Sequence, residues 1–348
     1  MTSTHSNHQA MPVATPCGLC ECWITALVLT LLITVVGCAT PAAPAEAIVR
    51  DNAAGTAVLA NAESVEIPFK KAKGFLSLQV TVNGSADLNL LLDTGAPNIA
   101  LFDTPATKPL NLSTQSVERF DSSPDASTIT AQTARGLTFD FRGLILRNHS
   151  AAVVPLDVTP CASTIQASGI DGVIGYDLLR RYVVEIDFDR DVMTLHEPGT
   201  YTHQVTGKVV PLLVRNFKPV VMATWTNESA KQIPLELHLD TASSAGLEIY
   251  AKGRPGLTAP SDAHDGRPNC MLGGLVPKKM GGSTSVMAGP VTWSRLTTTY
   301  VASMDDPWDG VLGAGALAEY NVIFDYAGRR LVLEQRAVAR EASEPRQH

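Results

Sequence analysis

The chain has 348 residues and a formal charge of −7. That length allows two modest domains, each burying its own core, and the mild acidity without a Lys/Arg cluster excludes a nucleic-acid partner, because phosphates are offered no sustained basic patch. The 22 prolines, 26 glycines and recurrent Thr/Val runs point to an all-β protein.

Ile24 to Gly37 form an apolar block shorter than a bilayer-spanning helix requires, and residues 1–37 fit a signal peptide. The block ends in Val35-Val36-Gly37-Cys38. This resembles the lipobox of bacterial lipoproteins, in which the Cys is lipidated and becomes the first mature residue. Met1 to Trp23 holds no Lys or Arg, where secretory signals start with positive charge. Three readings fit: a lipoprotein signal, favoured here; an ordinary signal or uncleaved anchor; and a start codon upstream of the true one, Met11 being a candidate. All three make the body an exported one, in the cell envelope as a membrane-anchored lipoprotein or in the periplasm. Residues 38–62 are Ala-rich with Pro41 and Pro44, and read as a tether to a lipid anchor at Cys38.

Of the six cysteines only Cys161 and Cys270 lie in the body, where a disulfide and two separate thiols are both open. Cys17, Cys20 and Cys22 cluster like metal ligands but have no second pair or suitably spaced His, so no metal and no cofactor is expected.

The first folded unit, residues 63–198, opens with Phe75–Val82, whose Leu76, Leu78, Val80 and Val82 alternate onto one face of a strand. Asn83-Gly84 signals a hairpin turn, and the returning strand, with its apolar run Leu90-Leu91-Leu92, ends at Asp93 and delivers it into a Thr94-Gly95 turn. A Ser/Thr/Asp-rich region, 113–133, precedes strand-like segments at 136–146 and 150–155. The unit closes with Asp171-Gly172-Val173-Ile174-Gly175, a helical stretch over 176–182, and strands at 183–188 and 192–195 around Asp189-Arg190-Asp191.

The second unit, residues 199–335, repeats this order, and a polar tail follows over 336–348. Residues 171–195 and 309–333 align without a gap, with identity at nine positions, which is hard to obtain by chance. Asn227-Glu228-Ser229-Ala230 takes the place of the Asn83-Gly84 turn. Leu237-His238-Leu239-Asp240-Thr241-Ala242-Ser243 takes that of the Asp93 turn, and Val311-Leu312-Gly313 that of Val173-Ile174-Gly175. Two repeats are too few for a solenoid and suit a pseudo-symmetric pair of lobes.

Asp93-Thr94-Gly95-Ala96 and Asp240-Thr241-Ala242-Ser243, each followed by an apolar-apolar-Gly segment, resemble the aspartic proteases of the pepsin and retropepsin type. The resemblance spans about residues 65–335. It implies two retropepsin-like β-barrel lobes with a cleft between them, and a site in which Asp93 and Asp240 hold an attacking water. Thr94 and Thr241 would lock the loops together, Gly95 would let its N–H approach the carboxylate, and Ala96, Ala242 and Ser243 would support the loops. Ala242 departs from the family's Gly. No Tyr lies between Asp93 and Tyr176, so the pepsin-type flap Tyr is absent, as in retropepsins. Flaps are expected within 122–136 and 266–282.

Two carboxylates sharing one proton supply both a base for water and an acid for the carbonyl oxygen, without a metal or covalent nucleophile. The expected activity is therefore that of an aspartic endopeptidase acting on peptides or unfolded proteins, by a single chain. The alternatives are an inactive peptide-binding protein that keeps the fold, motivated by Ala242, and an envelope scaffold. Asp171 and Asp309 read as turn formers, and Asp187 and Asp325 as structural residues at strand ends. His238 alternates away from Leu237 and Leu239 and receives no role.

Overall fold

A computed structural model describes residues 55–60, 63–72, 75–120, 129–159, 161–202, 206–251, 254, 256–272, 274–302 and 307–337. The signal block, Cys38, most of the tether, and residues 338–348 of the tail lie outside these, as does the part of the first expected flap at 122–128.

The chain is all-β in two lobes, each built on a closed six-stranded barrel. After β1 (Thr56–Leu59) and β2 (Ser64–Ala72) come β3 (Phe75–Val82), β4 (Leu88–Leu92) and β5 (Ala100–Phe102). Then follow β6 (Thr114–Phe120), β7 (Ile129–Asp140), β8 (Leu144–Val154), the short helix α1 (Ala162–Ser168) and β9 (Gly172–Ile174). The barrel order is β3-β4-β9-β5-β8-β7, and β7 returns to β3 through Thr81↔Asp140 and Val82↔Phe139. Helix α2 (Tyr176–Leu179) leads out to β10 (Val183–Asp187) and β11 (Val192–His196).

The second lobe repeats the plan. It holds β12 (Lys208–Pro211), β13 (Leu213–Arg215), β14 (Lys218–Thr226), β15 (Gln232–Asp240), β16 (Leu247–Tyr250) and β17 (His264–Asp265). A separate two-stranded hairpin of β18 (Asn269–Met271) and β19 (Gly274–Val276) precedes β20 (Lys279–Ala288), β21 (Val291–Val301) and β22 (Gly310–Gly313). After α3 (Ala314–Leu317) come β23 (Tyr320–Asp325) and β24 (Arg330–Gln335). Its barrel, β14-β15-β22-β16-β21-β20 closing on β14, matches the first strand for strand.

Alternation builds the barrels. Leu88, Leu90 and Leu92 point inward from β4, and Leu235, Leu237 and Leu239 from β15, all essentially without exposure. The interiors are filled by Phe139 and Leu78 in the first lobe and by Trp225 and Trp293 in the second. Such burial stabilises each large side chain by about 1.5–3 kcal/mol.

The lobes join through an antiparallel sheet ordered β12-β24-β23-β10-β11-β2. At its centre Glu185 pairs with Ile323, its own equivalent in the repeat, flanked by Val184↔Phe324 and Ile186↔Val322. The duplication thus pairs with itself about a local twofold axis, as a symmetric dimer interface does.

Several expectations are corrected. The end of the tether is not irregular: β1 pairs with β8 from Thr56↔Arg147 to Leu59↔Leu144, and Ala57 and Leu59 pack on the core. Four residues are too few for alternation to stand out from an Ala-rich background. The segment 136–146 is two strands split by a turn, where Arg142 takes φ 61° and its N–H reaches Asp140 Oδ1. Helix α1 is an additional element, and the helical stretch expected over 176–182 ends at Leu179. Arg336, placed in the tail, is pinned to Asp189 Oδ1 at 2.9 Å and to the Ala318 carbonyl.

Candidate functional site

Each aspartate leaves the end of an inward-facing apolar strand. In register, Leu92 lies beside Ile174 on parallel β9, and Asp240 beside Gly313 on parallel β22. The apolar-apolar-Gly segments therefore run directly against the Asp strands. A side chain at Gly175 would collide with the Asp93 carbonyl oxygen, and one at Gly313 would lie 2.5 Å from the Ala245 carbonyl oxygen and 2.7 Å from that of Ser243. Only glycine permits this approach. Upstream, Asp171 Oδ2 accepts the Asn89 N–H at 3.0 Å, and Asp309 Oδ2 accepts the Glu236 N–H at 2.8 Å. These buried carboxylates clamp the Asp strands and are more than turn formers.

The two loops meet at the twofold axis through four reciprocal hydrogen bonds. Thr94 Oγ1 donates to the Leu239 carbonyl at 2.7 Å, and Thr241 Oγ1 to the Leu92 carbonyl at 2.6 Å. The Thr94 N–H reaches Thr241 Oγ1, and the Thr241 N–H reaches Thr94 Oγ1, each at 3.1 Å. All four groups are buried, so removing one would strand its partners without water.

Above this floor the carboxylates converge. The Gly95 N–H donates to Asp93 Oδ1 at 2.8 Å, and the Ala242 N–H donates to Asp240 Oδ1 at the same distance. A Cβ placed on Gly95 would stand 3.1 Å from Asp93 Oδ1 and 3.6 Å from Asp240 Oδ2, so both carboxylates crowd one point. Burial, and next the charge of Asp240, push the Asp93 carboxyl up from 3.8 to about 7, against the opposing pull of the Gly95 N–H and Lys218. The pair is arranged to share a proton.

Ala96 and Ser243 hold the loops to the following helices. The Ala96 carbonyl accepts from Tyr176 N–H at 3.0 Å and the Ser243 carbonyl from Ala314 N–H at 2.7 Å. The Ser243 hydroxyl accepts from the Ala245 N–H at 3.4 Å, along its own loop.

Two buried titratable neighbours of the aspartates, His238 and Glu248, lie outside the Asp-Thr motifs. His238 is buried, bonded to the Thr94 backbone, and its Cε1 would lie 3.1 Å from a Gly95 Cβ. Burial and the nearby Lys218 charge hold it well below 6.5, so it is neutral. It does leave the barrel core, but for a second apolar cluster beside Trp308, 6.4 Å away between ring centroids. Glu248 is also buried, and its carboxyl is raised by burial, with Asp240 adding to the effect. It accepts from Asn269 Nδ2 at 2.6 Å. A Glu inside the apolar run Leu247–Tyr250 was its signal in the sequence. Among the described residues no three His, Cys, Asp or Glu side chains form a metal-binding group.

Residues 78–178 match the sequence model of an aspartyl protease family. This segment runs from β3 through α2 and contains the first Asp-Thr-Gly turn with its apolar-apolar-Gly partner. No curated protein matches the chain significantly. Among solved structures, the aspartic proteinase from Irpex lacteus is similar at 12% identity and a TM-score of 0.49, covering 81% of this chain and all of that one.

Proposed function

We propose that the protein is an aspartic endopeptidase that hydrolyses peptide bonds with a water activated between Asp93 and Asp240. The observation that carries this reading is the pair of carboxylates held at one point by the reciprocal Thr94 and Thr241 bonds, with the Asp93 carboxyl raised into the neutral range. With one proton on the pair, the ionised carboxylate takes a proton from water as its oxygen attacks the carbonyl carbon. The protonated partner gives its proton to the carbonyl oxygen, and collapse of the resulting diol returns a proton to the departing amine. Activity requires that shared proton, so it falls as pH rises through about 7.

The alternative, an inactive peptide-binding protein, was motivated by Ala242. Its N–H makes the same 2.8 Å bond as that of Gly95, so the methyl group leaves the loop geometry intact. We rank this reading second.

The test is cleavage of a mixed linear-peptide library by the full-length protein across pH 3–8, beside Asp93→Asn and Asp240→Asn. The parent should cut, and each substitution should lower the rate by roughly 10³-fold or more, as when one member of a cooperating unit is lost. A folded parent inert at every pH, or a rate in either variant close to that of the parent, would refute the proposal. For location we propose export and lipidation at Cys38. Labelling with a radioactive fatty acid should mark the parent and not Cys38→Ala; equal labelling would refute it.

A further inference from the structure

The hairpin of β18 and β19 belongs to the second lobe by sequence but ends on the first. Its root is held by polar bonds: Asn269 Nδ2 to Glu248 at 2.6 Å, and Lys278 Nζ to Asn269 Oδ1 at 2.7 Å. Met271 and Val276 pack with Trp308, Val220 and Val311. Val220 and Val311 flank His238 in register, two residues before Asp240, so this cluster walls the site on the second-lobe side.

Leu272 packs instead onto the equivalent first-lobe cluster, built on Phe102, Leu156 and Ile170, which Leu91 and Val173 also border. Leu91 pairs with Val173 and shares the face of β4 that carries Asp93. A disulfide joins Cys270 to Cys161 at the start of α1, with Cα atoms 5.7 Å apart, and so settles the open question of these two thiols. Cys161 Sγ also lies 3.7 Å from the Gly274 carbonyl oxygen.

The hairpin therefore runs from one wall of the site to the other and is covalently fixed at the far side. The Thr94 and Thr241 loops close the floor, with the joining sheet completing the ring. Asp93, Gly95, Asp240 and Ala242 all keep some surface exposed, so solvent reaches the two carboxylate loops.

We infer that the Cys161–Cys270 staple turns the cleft into a tunnel, and that the substrate is a linear peptide threaded through it by a free end. Closed rings and internal loops of folded proteins are excluded, because neither can pass a covalently closed roof. This rests on the peptidase reading for what happens to the threaded chain, but not for the threading itself.

Full-length protein, immobilised, is offered a mixed library of linear 20-residue peptides and the same library cyclised head to tail. Rings of that size still allow an extended stretch to reach both walls. Captured peptides are quantified by mass spectrometry, and cleavage is followed separately. Linear peptides should be captured at least ~100-fold better than rings by the parent. In the Cys161→Ser/Cys270→Ser double variant the two should come within ~3-fold.

The parent treated with a dithiol gives a second measurement, should the double variant fold poorly. Two electrons pass to the disulfide, the reagent closes to its own disulfide, and Cys161 and Cys270 become thiols. Cys270 is exposed and open to that attack. Near-ultraviolet circular dichroism of the tryptophans verifies that the reduced protein remains folded. Equal capture of rings and linear peptides by the parent overturns the tunnel. So does capture that begins only after reduction, which would make the hairpin a plug, and so does no capture in either state. Capture of linear peptides without cleavage leaves the tunnel standing and removes the peptidase reading.

Discussion

The two lobes share one strand plan but differ beside their aspartates. In the first, Leu91 sits two residues before Asp93 within a wholly apolar cluster, and the turn needs Gly95. In the second, His238 sits two residues before Asp240, Glu248 is buried nearby, and Ala242 is accommodated. The difference explains the glycine. A methyl group at 95 would press on Asp93 Oδ1 and on His238 Cε1, both at 3.1 Å, and His238 comes from the opposite lobe. By the local twofold, the residue standing toward Ala242 as His238 stands toward Gly95 is Leu91. Duplication thus preserved the frame and let the neighbours of each carboxylate diverge.

Paired substitutions sharpen this comparison. Gly95→Ala should lower the cleavage rate by roughly 100-fold, since displacing a reacting group by about an ångström costs that much. A rate near that of the parent would show that His238 yields freely. The floor should behave symmetrically: Thr94→Val and Thr241→Val should each cost about 1–3 kcal/mol in denaturant unfolding, because each leaves buried partners unsatisfied. A loss confined to one threonine would mean that the twofold is not energetic.

pH provides the next test. The raised Asp93 carboxyl lets the folded state keep a proton that the unfolded chain releases at about 3.8. Its stabilising effect is full at low pH and fades as pH rises through about 7. Asp93→Asn should flatten that decline, leaving the variant a few degrees more stable than the parent at pH 8 by calorimetry. An unchanged slope would place the proton elsewhere.

Each lobe also buries a neutral histidine. His149 is lowered from 6.5 to about 4, by burial first and then by Arg181 and Arg180. The unfolded chain binds the proton more readily, so stability is lost as pH falls from about 6.5 toward 4. His149→Leu should reduce that loss, and an unaltered acid limb would assign it wholly to other groups.

The smallest effect belongs to Ala242→Gly. It should leave the rate within ~3-fold and lower stability by about 0.5–1 kcal/mol, through the freedom glycine gives the unfolded chain. A large gain in rate would reveal that the methyl group does hinder the second loop.

Much of the frame was legible because it is written in short periods. Alternation marked β3 and the end of β15, an apolar run marked β4, Asn83-Gly84 marked the turn between β3 and β4, and a gapless repeat over residues 171–195 and 309–333 announced two lobes. Four-residue β1 and the seven-residue helix α1 escaped, since neither is long enough for a period to emerge. At the site, the Asp-Thr turns and their apolar-apolar-Gly partners could be read as motifs. Glu248, Lys218 and the use of His238 could not, because their surroundings come from strands far apart in the chain.

What the sequence alone determined is local and repetitive: which residues face inward, where the chain turns, and that the plan occurs twice. The tertiary structure decided what depends on the joining sheet. It brings Leu239 and Leu92 within reach of the opposing threonines, sets one carboxylate in the field of the other, and carries Cys270 to Cys161. Those are contacts across more than a hundred residues, and no local propensity fixes the distance between two points so far apart on a chain.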